Sequence, residues 1–169
     1  GPKMPPVSQI CKNQGKIPSS HLVRVQAYCL LPNHFHILIT QLVDGGISEY
    51  MKRLSGGYTS YFNERHDRSG SLFQGKFKRV HIETNEQLIY VSAYINLNFK
   101  VHNLSKSSLY KSSIEGYEGK KQDPVIDNDL ILGRFKSSHE YVKQADETVA
   151  KIQAKRKLEK DIEKETLLE

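Results

Sequence analysis

The sequence predicts an α+β protein in which an antiparallel β-hairpin is combined with several helices. Two apolar, β-branched segments, 22–31 and 34–40, are separated only by a Pro-Asn pair, an arrangement typical of a hairpin with a tight connection. Segments 48–65 and 85–101 instead carry apolar residues near helical spacing. The 169 residues are enough for one domain with a core of its own.

The middle of the chain predicts one helix and one further strand. Ser48 is a suitable N-cap for a helix that runs to about Arg65. A Gly-Gly pair in its centre weakens this helix by roughly 1 kcal/mol per glycine. Residues 72–83 follow a turn-rich segment and have the β-branched and aromatic character of a strand.

A second helix is predicted where Thr84 and Gln87 match the pattern of a capping box. Apolar residues at helical spacing extend this helix over about 85–101. Residues 103–126 are rich in Ser, Lys, Gly and Asp and therefore predict mostly loop.

The last part of the chain predicts two more helices. Asp127 is a candidate cap for a short helix that ends near Phe135, and Ser137 or Ser138 for a helix from about residue 139 onward. After Lys155 the chain is almost wholly charged, which indicates either a solvated helix or a frayed end.

Charge is distributed unevenly along the chain, whose formal net charge is +6. Residues 1–104 hold 12 Lys and Arg against 6 Asp and Glu, whereas residues 105–169 hold 13 of each. A basic module joined to a neutral one indicates that the first part meets a polyanion. A surface that only keeps the protein soluble explains the same charge, and the charge alone leaves both interpretations open.

Composition excludes several classes of protein. No uncharged apolar run approaches the roughly 18 to 20 residues that cross a bilayer, and no secretory signal is visible. Cys11 and Cys29 do not make a disulfide framework, so a reduced, cytoplasmic location is expected. Gly1 and Pro2 stand ahead of Met4 like the scar of a protease cleavage.

His34 and His36 are candidate metal ligands. They are two residues apart in a predicted strand, so both imidazoles project from the same face. Two imidazoles on one face are able to hold a divalent cation. A histidine that is hydrogen-bonded in the core is the alternative, and neither cysteine has the CxxC-type partner of a structural zinc site.

Tyr94 and Asn98 are a candidate nucleophile and a third ligand. They are four residues apart on a predicted helix and therefore share one face. A metal that neutralises and orients a phosphodiester makes a tyrosine hydroxyl competent to attack it. A semi-buried core tyrosine is the alternative for Tyr94.

Three segments together resemble a known family. They are Tyr28-Cys-Leu-Leu-Pro-Asn-His-Phe-His-Ile-Leu-Ile39, Gly70-Ser-Leu-Phe-Gln-Gly-Lys-Phe-Lys78 and Tyr94-Ile-Asn-Leu-Asn98. In this order and spacing they are similar to the REP-associated tyrosine transposases of the single-tyrosine HUH transposase superfamily. The resemblance is strong over about residues 20–104.

This resemblance implies a ferredoxin-like α+β sandwich around a central antiparallel sheet. It also implies that Tyr94 is the nucleophile and that His34, His36 and Asn98 hold Mg²⁺ or Mn²⁺. The implied reaction is cleavage and joining of single-stranded DNA through a 5′-phosphotyrosine link, on a hairpin formed by palindromic repeats. The implied location is cytoplasmic and nucleoid-associated.

Five basic residues are candidate phosphate contacts on the ground of charge rather than of matched family positions. They are Lys52, Arg53, Lys76, Lys78 and Arg79.

The sequence departs from the family pattern in three places. Phe99 stands where relatives usually have proline, and Phe73 where they often have tryptophan. The residues before 22 are too few to supply both the first strand and the first helix of relatives. We therefore expect either that the sheet is completed from elsewhere, by another segment, a homodimer partner or a second chain, or that the sequence is truncated.

Three parts are therefore predicted. Residues 1–6 are a tag scar and disordered start, residues 7–104 the HUH single-strand DNA transposase domain, and residues 105–169 a C-terminal extension with a loop and helices. Two other functions remain open. One is a catalytically inactive hairpin-DNA-binding module derived from such a transposase, and the other a structural metal or interaction domain without a DNA role.

Overall fold

The architecture is a three-stranded antiparallel sheet with helices packed against it. The structure is a computed structural model that describes residues 21–104 and 109–166, with side chains as far as residue 160. The strands are β1 (Val23–Leu30), β2 (Phe35–Gln41) and β3 (Lys111–Ser112), in the order β2-β1-β3. The predicted α+β class is confirmed.

The hairpin of β1 and β2 forms where the sequence predicts it. The Leu31 amide donates to the His34 carbonyl at 2.9 Å across the Pro-Asn turn. The register pairs Cys29 with His36 and Ala27 with Leu38. Cys29 and Ala27 are fully buried, so the face that carries His36 is the face turned towards the core.

Six helices are described in these residues. They are α1 (Gly46–Arg65), α2 (Asn85–Asn96), α3 (Asn98–Val101), α4 (Ile114–Tyr117), α5 (Asp129–Leu132) and α6 (Ser138–Thr166).

The first helix begins three residues earlier than predicted. Its N-cap is Gly45, which has a φ of 69° and no side-chain cap, so the predicted cap at Ser48 is wrong. A Cβ on Gly46 would lie 2.3 Å from the Leu22 carbonyl oxygen. The close approach of the helix to the start of β1 therefore requires glycine at this position and determines where α1 begins.

The predicted strand over 72–83 is wrong. These residues form a bend followed by an irregular segment, and among the described residues no strand pairs with them. Gly75 has a φ of 87°, and Val80 is 88% exposed. No strand of the described residues pairs with the backbone N–H and C=O groups of this segment, so these groups are exposed to water. Strand propensity alone therefore does not produce a strand here.

The capping box of the second helix is confirmed, but the helix is shorter than predicted. Thr84 accepts from the Gln87 amide, and the Gln87 side chain accepts from the Thr84 amide. The chain leaves the helical conformation at Leu97, where φ is −112° and ψ is 20°. The predicted helix over 85–101 is thus two helices, α2 and α3.

The chain after residue 108 is part of the same core. The segment predicted as mostly loop contains β3 and α4, and Tyr117 of α4 donates to the Gln26 carbonyl of β1 at 2.8 Å. The predicted cap at Ser137 is confirmed, since its hydroxyl accepts from the Glu140 amide. Side chains from both parts of the chain form one hydrophobic cluster, which includes Ala27, Leu38, Leu88, Ile95, Tyr117, Ile131, Tyr141 and Val149.

A buried polar network joins three elements at the centre of this core. The Asn96 amide nitrogen donates to the Tyr141 hydroxyl at 2.7 Å, and the Ser113 hydroxyl donates to the Asn96 amide oxygen at 2.5 Å. The Tyr28 backbone amide in turn donates to the Ser113 hydroxyl at 2.9 Å. The end of α2 is therefore tied both to β1 and to α6.

No helix of the described part is long and apolar enough to cross a membrane. The predictions for residues 1–6, for the start of the domain and for its first strand concern residues outside the described ones.

We expect Tyr141→Phe to destabilise the fold. The change leaves the buried Asn96 amide nitrogen without its acceptor, which costs about 1–3 kcal/mol of unfolding free energy. Urea unfolding followed by circular dichroism measures this loss as a lower midpoint. Tyr61→Phe is the matched control, because Tyr61 is 56% exposed. Equal midpoints for the two variants would contradict the structural role of the network.

Candidate functional site

His34 and His36 lie together at the turn end of the hairpin. Their ring centroids are 5.2 Å apart, with the rings edge to face. His34 Nδ1 is 2.7 Å from the Asn33 side-chain oxygen. Because that oxygen only accepts, Nδ1 donates and the lone pair of neutral His34 is on Nε2.

Tyr94 faces this histidine pair from α2. Its ring centroid is 5.4 Å from that of His36, at an interplanar angle of 71°. The helix packs on the core face of the hairpin through Ala93 and Ile95, both buried. Tyr94 is half-buried at the border of this contact, so its ring is held in position while its side chain still reaches solvent.

Asn98 is the first residue of α3, and its side chain is fully buried. Neither its amide nitrogen nor its amide oxygen has a hydrogen-bond partner among the described residues. The Phe99 backbone amide lies near enough to the thiol of Cys29, the residue paired with His36, to favour the charged form of that thiol. The chain at Asn98 and Phe99 therefore passes close to the strand pair that carries His36.

The thiol of Cys29 is chemically inert in this position. Burial raises the pKa of its thiol to about 11, so the group stays protonated and uncharged at neutral pH.

A third histidine belongs to the cluster, and sequence reasoning missed it. The His102 ring centroid lies 5.1 Å from that of His34. Its backbone amide donates to the Asn98 carbonyl at 3.1 Å, one helical turn back. Tyr94, Asn98 and His102 are spaced four residues apart, and this spacing is the signal that would have found it.

Burial and neighbouring charge favour the neutral forms of two of these imidazoles. The pKa of His36 is lowered by burial first, and then by the charges of His34, His102 and Arg156. Burial also lowers the pKa of His102, with His34 and Arg156 adding to the effect. Neutral imidazoles keep the lone pair that a metal ligand needs.

The candidate residues fit a divalent cation only if the side-chain amide of Asn98 is one of the ligands. In the described ranges no group of three or more His, Cys, Asp or Glu side chains is arranged to hold a metal ion. His34 and His36 supply two nitrogen donors, and the unsatisfied amide oxygen of Asn98 is an acceptor of the kind that hard cations prefer.

The five basic residues are exposed on two other segments. Lys52 and Arg53 lie on α1, where Arg53 pairs with Glu49 at 2.7 Å. The remaining three follow the bend of the irregular segment. That segment is connected to the turn end of the hairpin by the ring of Phe73, whose centroid is 5.8 Å from that of Phe35.

A family model described as "Transposase IS200 like" matches residues 7–98, which is more than half of the chain. The chain belongs to this family. The predicted membership in the single-tyrosine HUH transposases is thereby confirmed. Comparisons with curated proteins and with solved structures find no significant match.

Family membership gives the chain a DNA partner and the activity class of a transposase. The match to the IS200-like transposases contains His34, His36 and Tyr94 and ends at Asn98. His102 and Arg156 lie beyond it. Members of the family generally depend on divalent metal ions, which agrees with the donor set of the histidine pair and Asn98.

We expect the thermal stability of the protein to fall as the pH is lowered from about 7.5 to 5.5. Folded His36 has a lowered pKa, so below about 6.5 the unfolded chain binds protons that the folded chain resists. His36→Asn should weaken this pH dependence in differential scanning fluorimetry. His81→Asn, at an exposed position, should leave the pH dependence of the melting temperature as in the wild type. The same pH dependence in all three proteins would contradict the effect of His36 burial.

Proposed function

We propose that this transposase cleaves and joins single-stranded DNA through a covalent bond to Tyr94. The observation that supports this most directly is the position of the Tyr94 ring against His36, with His34 beside it. A tyrosine hydroxyl next to two metal-competent imidazoles fits an attack on a phosphodiester, because a phosphate bound there would be within reach of the nucleophile.

His34 and His36 would hold Mg²⁺ or Mn²⁺ through ring nitrogens, and Asn98 through its amide oxygen. When bound, the cation neutralises charge on the phosphate and polarises it for attack. The buried, unsatisfied amide of Asn98 supports this role, since a polar group without a partner in the core costs free energy unless something binds it.

In the proposed step the Tyr94 oxygen forms a bond to phosphorus and gives up its proton. The bond from phosphorus to the 3′ oxygen breaks, and that oxygen leaves as a 3′ hydroxyl after taking up a proton. The product is a 5′-phosphotyrosine. Because one ester is exchanged for another, a 3′ hydroxyl of a second strand is able to reverse the step and join DNA.

The proposed substrate is a hairpin with a single-stranded flank, as in the REP-associated branch of the family. Lys52, Arg53, Lys76, Lys78 and Arg79 are proposed to contact its phosphates, since all are exposed cations. We also infer a ferredoxin-like arrangement whose first strand comes from outside the described residues or from a second copy of the chain.

We expect Tyr94→Phe to abolish the protein–DNA adduct while DNA binding persists, because only the attacking oxygen is removed. The measurement is incubation with labelled hairpin DNA and Mn²⁺, followed by a denaturing gel. Tyr90→Phe is the control, since Tyr90 is one turn earlier and 51% exposed. An adduct that forms with Tyr94→Phe but not with Tyr90→Phe would show that Tyr90, and not Tyr94, is the nucleophile. Binding without any adduct in the wild type would favour the inactive module.

We expect EDTA to stop adduct formation, and His36→Ala to lower its rate by at least about 100-fold, in line with the several kcal/mol that a metal ion supplies. His81→Ala controls for the loss of an imidazole at an exposed position. Unchanged cleavage in EDTA would rule out the role of the cation.

A further inference from the structure

The C-terminal helix α6 is attached to the segment that follows Asn98. Asp146 forms an ion pair with Lys100 at 2.6 Å. Two turns later, the Gln153 side-chain amide donates to the Lys100 carbonyl at 2.7 Å and to the Asn103 side-chain oxygen at 3.3 Å. These contacts flank His102 in sequence, so this part of α6 packs against the segment that carries the third histidine of the cluster.

Arg156 is three residues after Gln153 and shares its helix face. It is half-buried, whereas Lys155 and Lys157 on either side of it are exposed. Its charge acts on both His36 and His102. Arg156 therefore lies on the face of α6 that packs against the segment carrying His102, whose ring centroid is 5.1 Å from that of His34, although its position in the chain lies far outside the family match.

Arg156 also forms no ion pair with a carboxylate of the described residues. Several other cations of the described part have a carboxylate within 4.0 Å, and these pairs are Arg24–Asp127, Arg53–Glu49, Lys100–Asp146 and Lys155–Glu159. None of the described carboxylates pairs with Arg156 in this way. A partly desolvated guanidinium that pairs with none of the described carboxylates, close to the candidate site, favours an anion as its partner.

We propose that Arg156 of α6 binds a backbone phosphate of single-stranded DNA beside the His34–His36 pair, with His102 lining the same surface. A guanidinium donates two parallel hydrogen bonds to phosphate oxygens and keeps its charge at every physiological pH. The inference rests on the proposed function for the identity of the ligand. It makes the neutral C-terminal segment a contributor to DNA binding and not only to the fold.

The test measures binding without chemistry. Full-length Tyr94→Phe protein is titrated into a fluorescein-labelled single-stranded oligonucleotide of about 20 nucleotides, and anisotropy is followed over a series of salt concentrations. Arg156→Gln in this background should weaken binding about 10-fold and reduce the slope of log K against log salt by about 0.7. Lys157→Gln removes the same charge from the exposed neighbouring position and should change affinity less than about threefold.

The conservative variant separates binding from folding. Arg156→Lys should keep the salt slope, because the charge remains, but should bind more weakly than arginine, because the paired hydrogen bonds are lost. If Arg156→Gln lowers the melting temperature, its loss of affinity no longer isolates DNA binding. The affinity of Arg156→Lys, compared with that of the protein that retains Arg156, then tests the proposal. Wild-type affinity in Arg156→Lys, or equal losses in Arg156→Gln and Lys157→Gln, would overturn the proposal. Neither result depends on an adduct, so a failure of Tyr94 as nucleophile is seen separately in the gel assay.

Discussion

The buried hydrogen bonds of Asn96 are the interaction on which the rest of the structure depends. Its amide connects Tyr141 of α6 with Ser113, and Ser113 is bonded to the backbone of Tyr28 in β1. Every polar group in this network is buried. If one partner is removed, the remaining groups keep the free-energy cost of leaving water without the hydrogen bond that offsets it. The end of α2 is thereby held against the hairpin, and Tyr94, two residues earlier, is held against His36.

The site is consequently assembled from distant parts of the chain. The hairpin supplies the two imidazoles, α2 the phenol and α3 an amide, and His102, the C-cap residue of α3, supplies a third imidazole. Burial and neighbouring charge lower the pKa of His36 and of His102, which favours the neutral form with its lone pair. With the guanidinium that we propose from α6, such a set would offer lone pairs to a cation and a permanent positive charge to a phosphodiester.

Local patterns predicted the elements whose backbone groups are satisfied locally. The hairpin and the capping box of Thr84 and Gln87 are of this kind, since the hairpin pairs two segments that are adjacent in the chain and the capping box joins residues three apart. The strand expected over 72–83 failed because a strand needs a neighbouring edge, which propensity does not supply. The unbroken helix expected over 85–101 failed for a related reason, since the chain leaves the helical conformation at Leu97 where Asn98 and Val101 are buried in the core, near Cys29 about 70 residues away in the chain.

The same division holds for the candidate site. By itself, the sequence indicated that His34 and His36 project together at the start of a strand and that Tyr94 lies on a helix, because both follow from local patterns. It did not indicate the break at Leu97, which places Tyr94 and Asn98 in different helices. Only the tertiary structure decided that Tyr94 meets the histidine pair, that the Asn98 amide is buried without a partner among the described residues, and that His102 lies beside His34. No spacing within one element relates the hairpin to α6. The C-terminal helix comes near the site because it packs on the segment after Asn98.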